Sequence, residues 1–411
     1  MTSTVASSPL VTHKIEDIQV LRAVAIILVL LHHLSITSYV FQLLFHHSRM
    51  PFWIGVELFF VISGYVVTAS ILNRPLSPAA FLIRRAFRLL PAIACFLAFS
   101  AAICVSIWLL PTNAWGKEHI AGTLGSFIGE SAAILAGVLT ITGQSDRLAN
   151  GAMWSLSVEF QFYLAYALLI FVFLKVRRAQ FRHVVLAVAG GLYAMALAAR
   201  LLGPFTETEL PPLIKYLLFF KFDFLLLGII GAAGLRPLIG AHVLRYGPFI
   251  TPILIVVPLI LIACAEPFRL AYVFSPILDG VVMPITGILF LWLVLLASHN
   301  RAFAGQDTAA YRFMVWIGEL SYSMYLFHFA VFALFWLMVD LIHPAYFYYG
   351  DPGLLQMVVA CPLIVAIASL VYRHVEMPIN RIGAALAADL TGQRLFAPDK
   401  PDAPYRPAER S

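Results

Sequence analysis

The stretch IQVLRAVAIILVLLHHLSITSYV, residues 18–40, decides the fold class of this chain. A helix that crosses a bilayer needs about 20 consecutive apolar residues, and the run from Ile18 to Val40 is that long. Residues 1–16 are polar and lack the basic start of a secretory signal, and no small-residue cleavage site follows the run closely. The stretch therefore predicts a first transmembrane helix that is retained.

The rest of the chain has the same apolar character. Of its 411 residues, 61% are hydrophobic and 12% are charged, and the mean hydropathy is +0.90. Soluble domains are about half apolar and a quarter charged, so this composition excludes a soluble globular protein, a disordered chain, a coiled coil and a disulfide-framed domain. The four cysteines lie inside apolar runs without a CxxC pair, as buried hydrophobes do. The net charge of +6 is attributed to basic cytoplasmic loops, and no nucleic-acid partner is expected.

The apolar runs predict an all-α, polytopic integral membrane protein with about ten transmembrane helices. The predicted spans are residues 18–38, 52–72, 89–110, 154–174, 184–202, 213–233, 249–265, 277–298, 314–339 and 354–373.

One further segment, residues 124–142, is moderately apolar but contains Glu130 and several small polar residues. If it does not span, most Lys and Arg residues fall on the inner side with both termini cytoplasmic. We therefore predict that residues 124–142 form an outer, re-entrant segment.

The predicted domain organisation has three parts. Residues 1–14 form a polar N-terminal tail, residues 15–380 a transmembrane domain, and residues 381–411 a cytoplasmic Pro- and charge-rich tail that is expected to be disordered. No two similar halves recur, so the inverted repeats of transporters find no support. The run GIIGAAG, residues 228–234, predicts a helix contact face made of small residues.

Arg22 and His33 are the first candidates, because ionisable side chains inside a bilayer are costly. They are 11 residues apart in the sequence, which is three helical turns plus about 20°, so they share one helix face about 16 Å apart. His32 lies about 80° away from Arg22 and is expected to pack. For His33, an interhelical hydrogen bond is the structural alternative to a catalytic role.

Glu57 and Glu159 are predicted to lie at the depth of His33. Each of the three is about five residues from the outer end of its helix, or roughly 8 Å below the membrane boundary. Two carboxylates and an imidazole at one depth suit general acid–base chemistry, in which a carboxylate fixes the imidazole tautomer. Pairing with polar neighbours on other helices is the alternative for both carboxylates.

Arg84, Arg85 and Arg88, called here the arginine motif, precede the predicted third helix at the cytoplasmic surface. Arginine side chains bind phosphate through paired N–H groups. A stop-transfer signal or an anchor for anionic lipids is the equally compatible alternative.

Further candidates lie late in the chain. His328 and Tyr325 belong to the stretch SYSMYLFHF of the ninth predicted helix, where packing and functional roles are both open. Glu376 follows the last helix at the inner surface, and a surface ion pair with Arg373 or Arg381 is its structural alternative.

Metal binding finds little support in the sequence. The pairs His32–His33 and His46–His47 have no partner at the spacing of an HExxH motif, so no metal site is predicted. Asp223 is a further carboxylate at mid-depth to which the sequence assigns no role.

Six stretches, in order, resemble the acyltransferase 3 family of membrane-bound O-acyltransferases. They are Arg22-x10-His33, GVELFFVISGY, RRAFRLLP, WSLSVEFQFY, LSYSMYLFH and VEMP, and they lie within about residues 15–380. The resemblance implies a ten-helix core that takes an acyl group, often acetyl, from cytoplasmic acyl-CoA. The implied acceptor is a hydroxyl of a saccharide or lipid-linked saccharide, and the implied location is the bacterial inner (plasma) membrane.

The resemblance also implies roles for individual residues. His33 matches the catalytic histidine, Arg22 its partner, and Glu159 the carboxylate of the W-S-L-x-x-E stretch, while the arginine motif matches the acyl-CoA side. Glu57 stands where the family usually has Asp. Some members carry an extracytoplasmic esterase-like domain, and this chain is expected to be a stand-alone member whose outer loops, including residues 111–153, select the acceptor.

The resulting hypothesis is that His33 deprotonates the acceptor hydroxyl for attack on the thioester. A covalent acyl-histidine relay would use the same residues. The alternatives from other classes are a secondary transporter, whose buried His and Glu would relay protons, and a non-catalytic scaffold. The expected partners are acyl-CoA, the acceptor and membrane lipids.

Overall fold

The computed structural model of the protein describes residues 15–37, 50–73, 76–109, 154–173, 178–202, 222–265, 277–342 and 353–390. Within these ranges the regular secondary structure is helical throughout. The predicted outer segment 124–142, the outer loop 111–153 and the tail 1–14 lie outside the described residues.

The α-helices, in chain order, are α1 (Glu16–Thr37), α2 (Gly55–Asn73), α3 (Pro78–Leu109), α4 (Trp154–Val172), α5 (Arg178–Leu202), α6 (Phe222–Ile230), α7 (Ala241–Arg245), α8 (Gly247–Ala265), α9 (Met283–Ser298), α10 (Ala309–Ile342), α11 (Gly353–Val371) and α12 (Met377–Asp389). π-helical turns follow α6 (Gly231–Leu235), precede α9 (Leu278–Val282) and join α11 to α12 (Tyr372–Glu376).

The helices are built to lie in a membrane. Within the described residues, eight helical stretches are long and apolar enough to cross a bilayer. A helix satisfies its backbone polar groups internally, which the hydrocarbon core requires of any spanning segment. The predicted all-α, polytopic integral membrane protein is therefore confirmed, while the number of ten spans and the side of the termini stay predictions.

Helix α1 lies at the centre of the helix bundle. It packs against α2, α9, α10 and α11, and α3 packs against α4, α10 and α12. Leu21, Ala23, Ala25 and Ile26 of α1 are completely buried, as expected for a helix enclosed by others. Because α1 carries both Arg22 and His33, its central position brings the surrounding helices to these two side chains.

Helices α2 and α6 approach each other through two glycines. A Cβ atom at Gly64 would overlap the carbonyl oxygen of Leu225, and one at Gly228 would overlap that of Val61. Small residues allow such close backbone contact between membrane helices. In the same run, Cβ atoms at Gly231 and Gly234 would lie 2.6 Å from Leu291 and 3.0 Å from Leu186, which confirms the predicted contact face at residues 228–234.

Helix α3 begins at Pro78, earlier than the predicted start at residue 89. Ser77 caps it, because its Oγ accepts a hydrogen bond from the N–H of Ala80 at 3.1 Å. Pro78 then occupies the first helical position, where its missing N–H has no consequence. The Ser77-Pro78 pair is the sequence signal for this earlier start. Because the helix begins at Pro78, the arginine motif lies on α3 and not ahead of it.

Asp223, to which no role was assigned, forms a buried ion pair with Arg200. The Nε atom of Arg200 donates to its Oδ2 at 2.8 Å, and Nη1 of Arg200 donates to the carbonyl of Asp279 at 3.3 Å. The pair joins α5, α6 and the π-turn before α9. Removal of one partner would leave an uncompensated buried charge, so we interpret the pair as structural.

The C-terminal end of the described chain is more ordered than predicted. Helix α12 continues to Asp389, into the segment 381–411 that was expected to be a disordered tail. Gly383 and Ala387 of α12 are buried, and Gly383 lies against Phe87 of α3. Contact with α3, which the local composition does not reveal, explains the difference.

Asp17, at the start of α1, holds the connection between α9 and α10. Its Oδ2 accepts hydrogen bonds from the N–H groups of Ala302 at 2.8 Å and Phe303 at 3.3 Å, and its Oδ1 accepts one from the hydroxyl of Tyr311 at 2.6 Å. Asn300, with a φ of 52°, accepts a bond from the Asp17 N–H at 3.3 Å. A single buried carboxylate therefore fixes this connection to the central helix.

We expect alanine at Gly64 or at Gly228 to destabilise the protein by about 1–3 kcal/mol, because an added methyl group would force α2 and α6 apart. The matched control is Gly190→Ala on α5, where no atom lies within 4 Å of the added Cβ. Thermal unfolding of purified protein in detergent should give a lower Tm for G64A and G228A and an unchanged or higher Tm for G190A. Equal Tm values for all three variants would contradict the close contact.

We expect Asp17→Asn to lower the free energy of unfolding by about 1–3 kcal/mol, because the amide NH2 would face an N–H or O–H donor. Asp307→Asn is the control, since Asp307 lies in the same connection and is exposed. The measurement is again the Tm in detergent. A Tm for D17N equal to that of D307N would show that Asp17 does not anchor the connection.

Candidate active site

A cavity of about 90 Å³ lies among α1, α2, α3, α4 and α10. We call it the inner cavity, and it brings together several of the candidates from the sequence. Its polar lining residues are Arg22, Ser63, Arg85, Arg88, Ser155, Glu159, Tyr163, Ser321, Tyr322 and Tyr325. Of these, Arg22, Arg85, Arg88, Glu159 and Tyr325 are among the candidates from the sequence, whereas Ser63, Ser155, Tyr163 and Tyr322 are not.

Three arginines dominate the charge of the inner cavity. Arg22 comes from α1, while Arg85 and Arg88, three residues apart, project from one face of α3. Glu159 contributes the acidic side chain among the described lining residues. This excess of positive charge suits an anionic ligand.

Aromatic rings hold the guanidinium of Arg85. Its guanidinium lies 5.4 Å from the ring centres of both Phe81 and Tyr163, in cation–π contact. Its Nε is buried and has no hydrogen-bond partner among the described residues. A buried donor in this condition is costly unless a ligand or water satisfies it.

Arg84 lines neither this cavity nor the second one described below. The three arginines of the motif therefore differ in position. Arg85 and Arg88 line the inner cavity together with Arg22, and Arg84 does not.

Glu159 is fixed by two hydroxyl groups. Its Oε1 accepts a hydrogen bond from Ser63 Oγ at 2.7 Å and another from the hydroxyl of Tyr163. Tyr163 follows Glu159 by one helical turn, so α4 presents both groups on one face. Glu159 can thus keep its orientation beside the arginines.

The wall formed by α10 supplies further polar groups. The hydroxyl of Tyr325 lies 2.7 Å from Ser155 Oγ, and the hydroxyl of Tyr322 donates to the carbonyl of Leu89 at 2.9 Å. Ser321 Oγ is buried and has no partner among the described residues. Together with Arg85 Nε, it leaves two polar atoms of the cavity wall available to a ligand.

A second cavity of about 200 Å³, called here the polar cavity, lies near α11 and α12 and adjoins the first. Arg22, Arg88 and Tyr322 line both cavities. The remaining lining residues of the polar cavity are Gln19, Glu319, Tyr372, Glu376, Met377 and Asn380. The two cavities are therefore adjacent and have two arginines and one tyrosine in common.

Glu376 lines this polar cavity. The alternative from the sequence, a surface ion pair with Arg373 or Arg381, is therefore wrong. It is buried and accepts a hydrogen bond from Ser323, whereas Arg373 is exposed. Glu376 belongs to the π-helical turn between α11 and α12, and such turns are frequent at functional sites. The local sequence does not predict that Glu376 is buried.

His33 and His328 form a pair between α1 and α10. Their ring centres are 4.7 Å apart, and His328 Nε2 lies 3.3 Å from His33 Nδ1. His33 Nδ1 also lies 2.9 Å from the carbonyl oxygen of Val29. The interhelical contact that was the structural alternative for His33 therefore exists, and its partner is another candidate histidine.

The histidine pair and the two cavities are separate in the described part of the chain. Neither cavity is lined by His33, His328 or Glu57, although Glu57 is buried on α2. Tyr325 connects the regions, because its side chain lines the inner cavity and its carbonyl contacts His328 Nδ1 at 2.6 Å. Helix α1 therefore carries Arg22 at the two cavities and His33 at the histidine pair.

The sequence is similar to known acyltransferases. Residues 15–373 match the model of the acyltransferase 3 family, described as an acyltransferase domain. The peptidoglycan O-acetyltransferase OatA of Listeria monocytogenes is 24% identical over 397 residues, which cover 90% of this chain and 56% of that protein. Nodulation protein 10 of Rhizobium leguminosarum bv. viciae is 32% identical over 153 residues, or 34% of this chain and 38% of that protein.

The chain thus spans little more than half the length of the Listeria relative. No solved structure was found to match it. The family match runs from α1 to the first residues of the π-turn, so it includes the inner cavity and the histidine pair and ends before Glu376. On this match, the chain belongs to the acyltransferase 3 family of integral membrane proteins.

Proposed function

We propose that this protein is a membrane O-acyltransferase that moves an acyl group, typically acetyl, from acyl-CoA to a hydroxyl of a saccharide-type acceptor. The observation that carries the proposal is the cavity lined by Arg22, Arg85 and Arg88 inside an apolar bundle. Family membership and the similarity to a peptidoglycan O-acetyltransferase support the reaction type.

The arginines support an anionic donor. Buried guanidinium groups are retained where they bind carboxylate or phosphate through charge-assisted hydrogen bonds. Coenzyme A carries several phosphate charges, and Arg85 Nε is a buried donor without a described partner. We therefore assign Arg85, Arg88 and Arg22 to the binding of the anionic part of acyl-CoA. Tyr322 lines both cavities beside Arg22 and Arg88.

His33 is proposed as the general base. It removes the proton from the acceptor hydroxyl, whose oxygen forms a bond to the thioester carbonyl carbon as the carbon–sulfur bond breaks. The departing thiolate receives the same proton from His33, so the products are an ester and free CoA. A relay in which His33 itself is acylated uses the same residues and would be recognised by a covalent acyl-enzyme.

The acceptor class rests on the relatives. The Listeria protein is named for the O-acetylation of peptidoglycan, which is a saccharide polymer. We propose a related glycan or lipid-linked saccharide at the bacterial inner membrane, with Glu159, Glu57, Tyr325 and Glu376 as further candidates for orienting substrates.

His33→Ala should abolish acyl transfer, because loss of a general base lowers the rate by about 10²–10⁴-fold. The test is mass spectrometry of surface glycans from a gene deletion strain that carries wild-type, H33A or His242→Ala protein. His242 is an exposed histidine on α7 and is the control. Immunoblots of membranes would establish equal protein levels.

Wild-type O-acetylation by H33A at equal protein levels would overturn the catalytic role. Glycans of unchanged mass after gene deletion would contradict the saccharide acceptor, independently of His33.

Arg85→Gln and Arg88→Gln should each weaken acetyl-CoA binding by about 10- to 100-fold, because each removes charge-assisted hydrogen bonds of about 1.5–3 kcal/mol. Arg84→Gln is the matched control on the same helix, since Arg84 lines neither cavity. Isothermal titration of the purified protein with acetyl-CoA gives the Kd values. Equal losses in all three variants would indicate a general surface charge effect, and no binding by the wild type would contradict the acyl-CoA donor.

A further inference from the structure

A chain of hydrogen bonds leads from the backbone of α10 to His33. It begins at His328, which is completely buried and whose Nδ1 lies 2.6 Å from the carbonyl oxygen of Tyr325. A carbonyl oxygen can only accept, so Nδ1 of His328 must carry the proton that is donated. In a neutral imidazole the other nitrogen, Nε2, then carries the lone pair and is an acceptor.

The next link fixes the tautomer of His33. Its Nδ1 lies 3.3 Å from His328 Nε2 and 2.9 Å from the carbonyl oxygen of Val29. Both neighbours are acceptors, so Nδ1 of His33 carries a proton that it donates to them. The lone pair of a neutral His33 is therefore on Nε2.

Aromatic rings hold the two imidazoles in this orientation. Phe329 lies with its ring centre 5.0 Å from His33 and 5.8 Å from His328, and Phe332 lies 6.1 Å from His328. His32 contacts His33 edge-on at 5.2 Å, and Tyr325 lies 5.7 Å from His328. A protonated His328 would point its Nε2–H at the Nδ1–H of His33, so this geometry fits a neutral pair.

We propose that His328 is a positioning residue that holds His33 in its Nδ1–H tautomer and so presents Nε2 as the base. The inference rests on the proposed function for its catalytic consequence, but the tautomer itself is a property of the protein alone. When Nε2 takes the proton of the acceptor hydroxyl, the Nδ1–H bonds to His328 and Val29 persist and stabilise the imidazolium. Nε2 then returns the proton to the leaving thiolate.

In this proposal a neutral histidine takes a role that was predicted for a carboxylate. Glu159, one of the two predicted carboxylates, accepts its described hydrogen bonds from Ser63 and Tyr163 at the inner cavity. Orientation of a base by a third group is a general feature of hydroxyl activation. Here the third group and the Tyr325 carbonyl belong to the same helix, α10.

The direct test is the ring-nitrogen NMR spectrum of full-length protein labelled with 15N-histidine in detergent micelles. Signals of His33 are assigned as those missing from His33→Gln. The expected result is a protonated Nδ1 and an unprotonated Nε2 in the wild type, and partial conversion to the Nε2–H tautomer in His328→Leu. A wild-type His33 protonated at Nε2 would overturn the proposal, as would a tautomer unchanged in H328L.

The functional test compares two substitutions at the same position. His328→Leu removes the acceptor and should lower glycan O-acetylation by about 10- to 100-fold, the size of the effect when a group that orients a metal-binding histidine is lost. His328→Gln keeps an amide oxygen near the Nε2 position and should restore most of the activity. His374→Leu, at an exposed histidine, is the control.

The outcomes separate this inference from the proposed function. Wild-type acetylation by H328L at equal protein level would contradict the positioning role of His328 while leaving His33 as the base. Absence of any acetylation by the wild type would contradict the proposed function, and the tautomer measurement would still decide the hydrogen-bond chain. If H328L fails to fold, the proposal is tested by the activity of H328Q and by the tautomer of His33 in the wild-type spectrum.

Discussion

Three guanidinium groups inside a bundle of apolar helices are the constraint on which much of this structure depends. The bilayer core offers no water, so charged groups must face the protein interior and find polar partners there. Arg22 and Arg88 do so where the two cavities adjoin, and Arg85 does so in the inner cavity. Glu159 lines the inner cavity and Glu376 lines the polar cavity. Arg85 is also in cation–π contact with the rings of Phe81 and Tyr163. The polar interior of the protein is organised around these arginines.

Helix α1 connects this charged region to the histidine pair. It is enclosed by α2, α9, α10 and α11, and it carries Arg22 and His33 on one face. A rigid central helix fixes the separation of the two side chains, whatever the surrounding helices do. This arrangement suits the proposed reaction, because it would hold the anionic part of the donor apart from the reacting hydroxyl of the acceptor.

Helix α10 provides the complementary surface. Within SYSMYLFH, Ser321, Tyr322 and Tyr325 line the inner cavity, Ser323 donates to Glu376, and His328 contacts His33. Side chains from one stretch of α10 thus reach the inner cavity, Glu376 and His33, because a rotation of about 100° per residue distributes them around the helix axis. The helix is long enough to reach from the polar cavity at one end to the histidine pair at the other.

The sequence by itself determined the membrane class, the helix positions within a few residues for most spans, the family resemblance and most of the candidate residues. These properties depend on local hydropathy and on short motifs, which a linear chain displays directly. Tertiary structure decided that Arg85 and Arg88, but not Arg84, line the cavities, that Glu376 is buried, and that His33 meets His328. The last contact joins residues 295 positions apart, and the packing of distant helices, not any local pattern, brings them together.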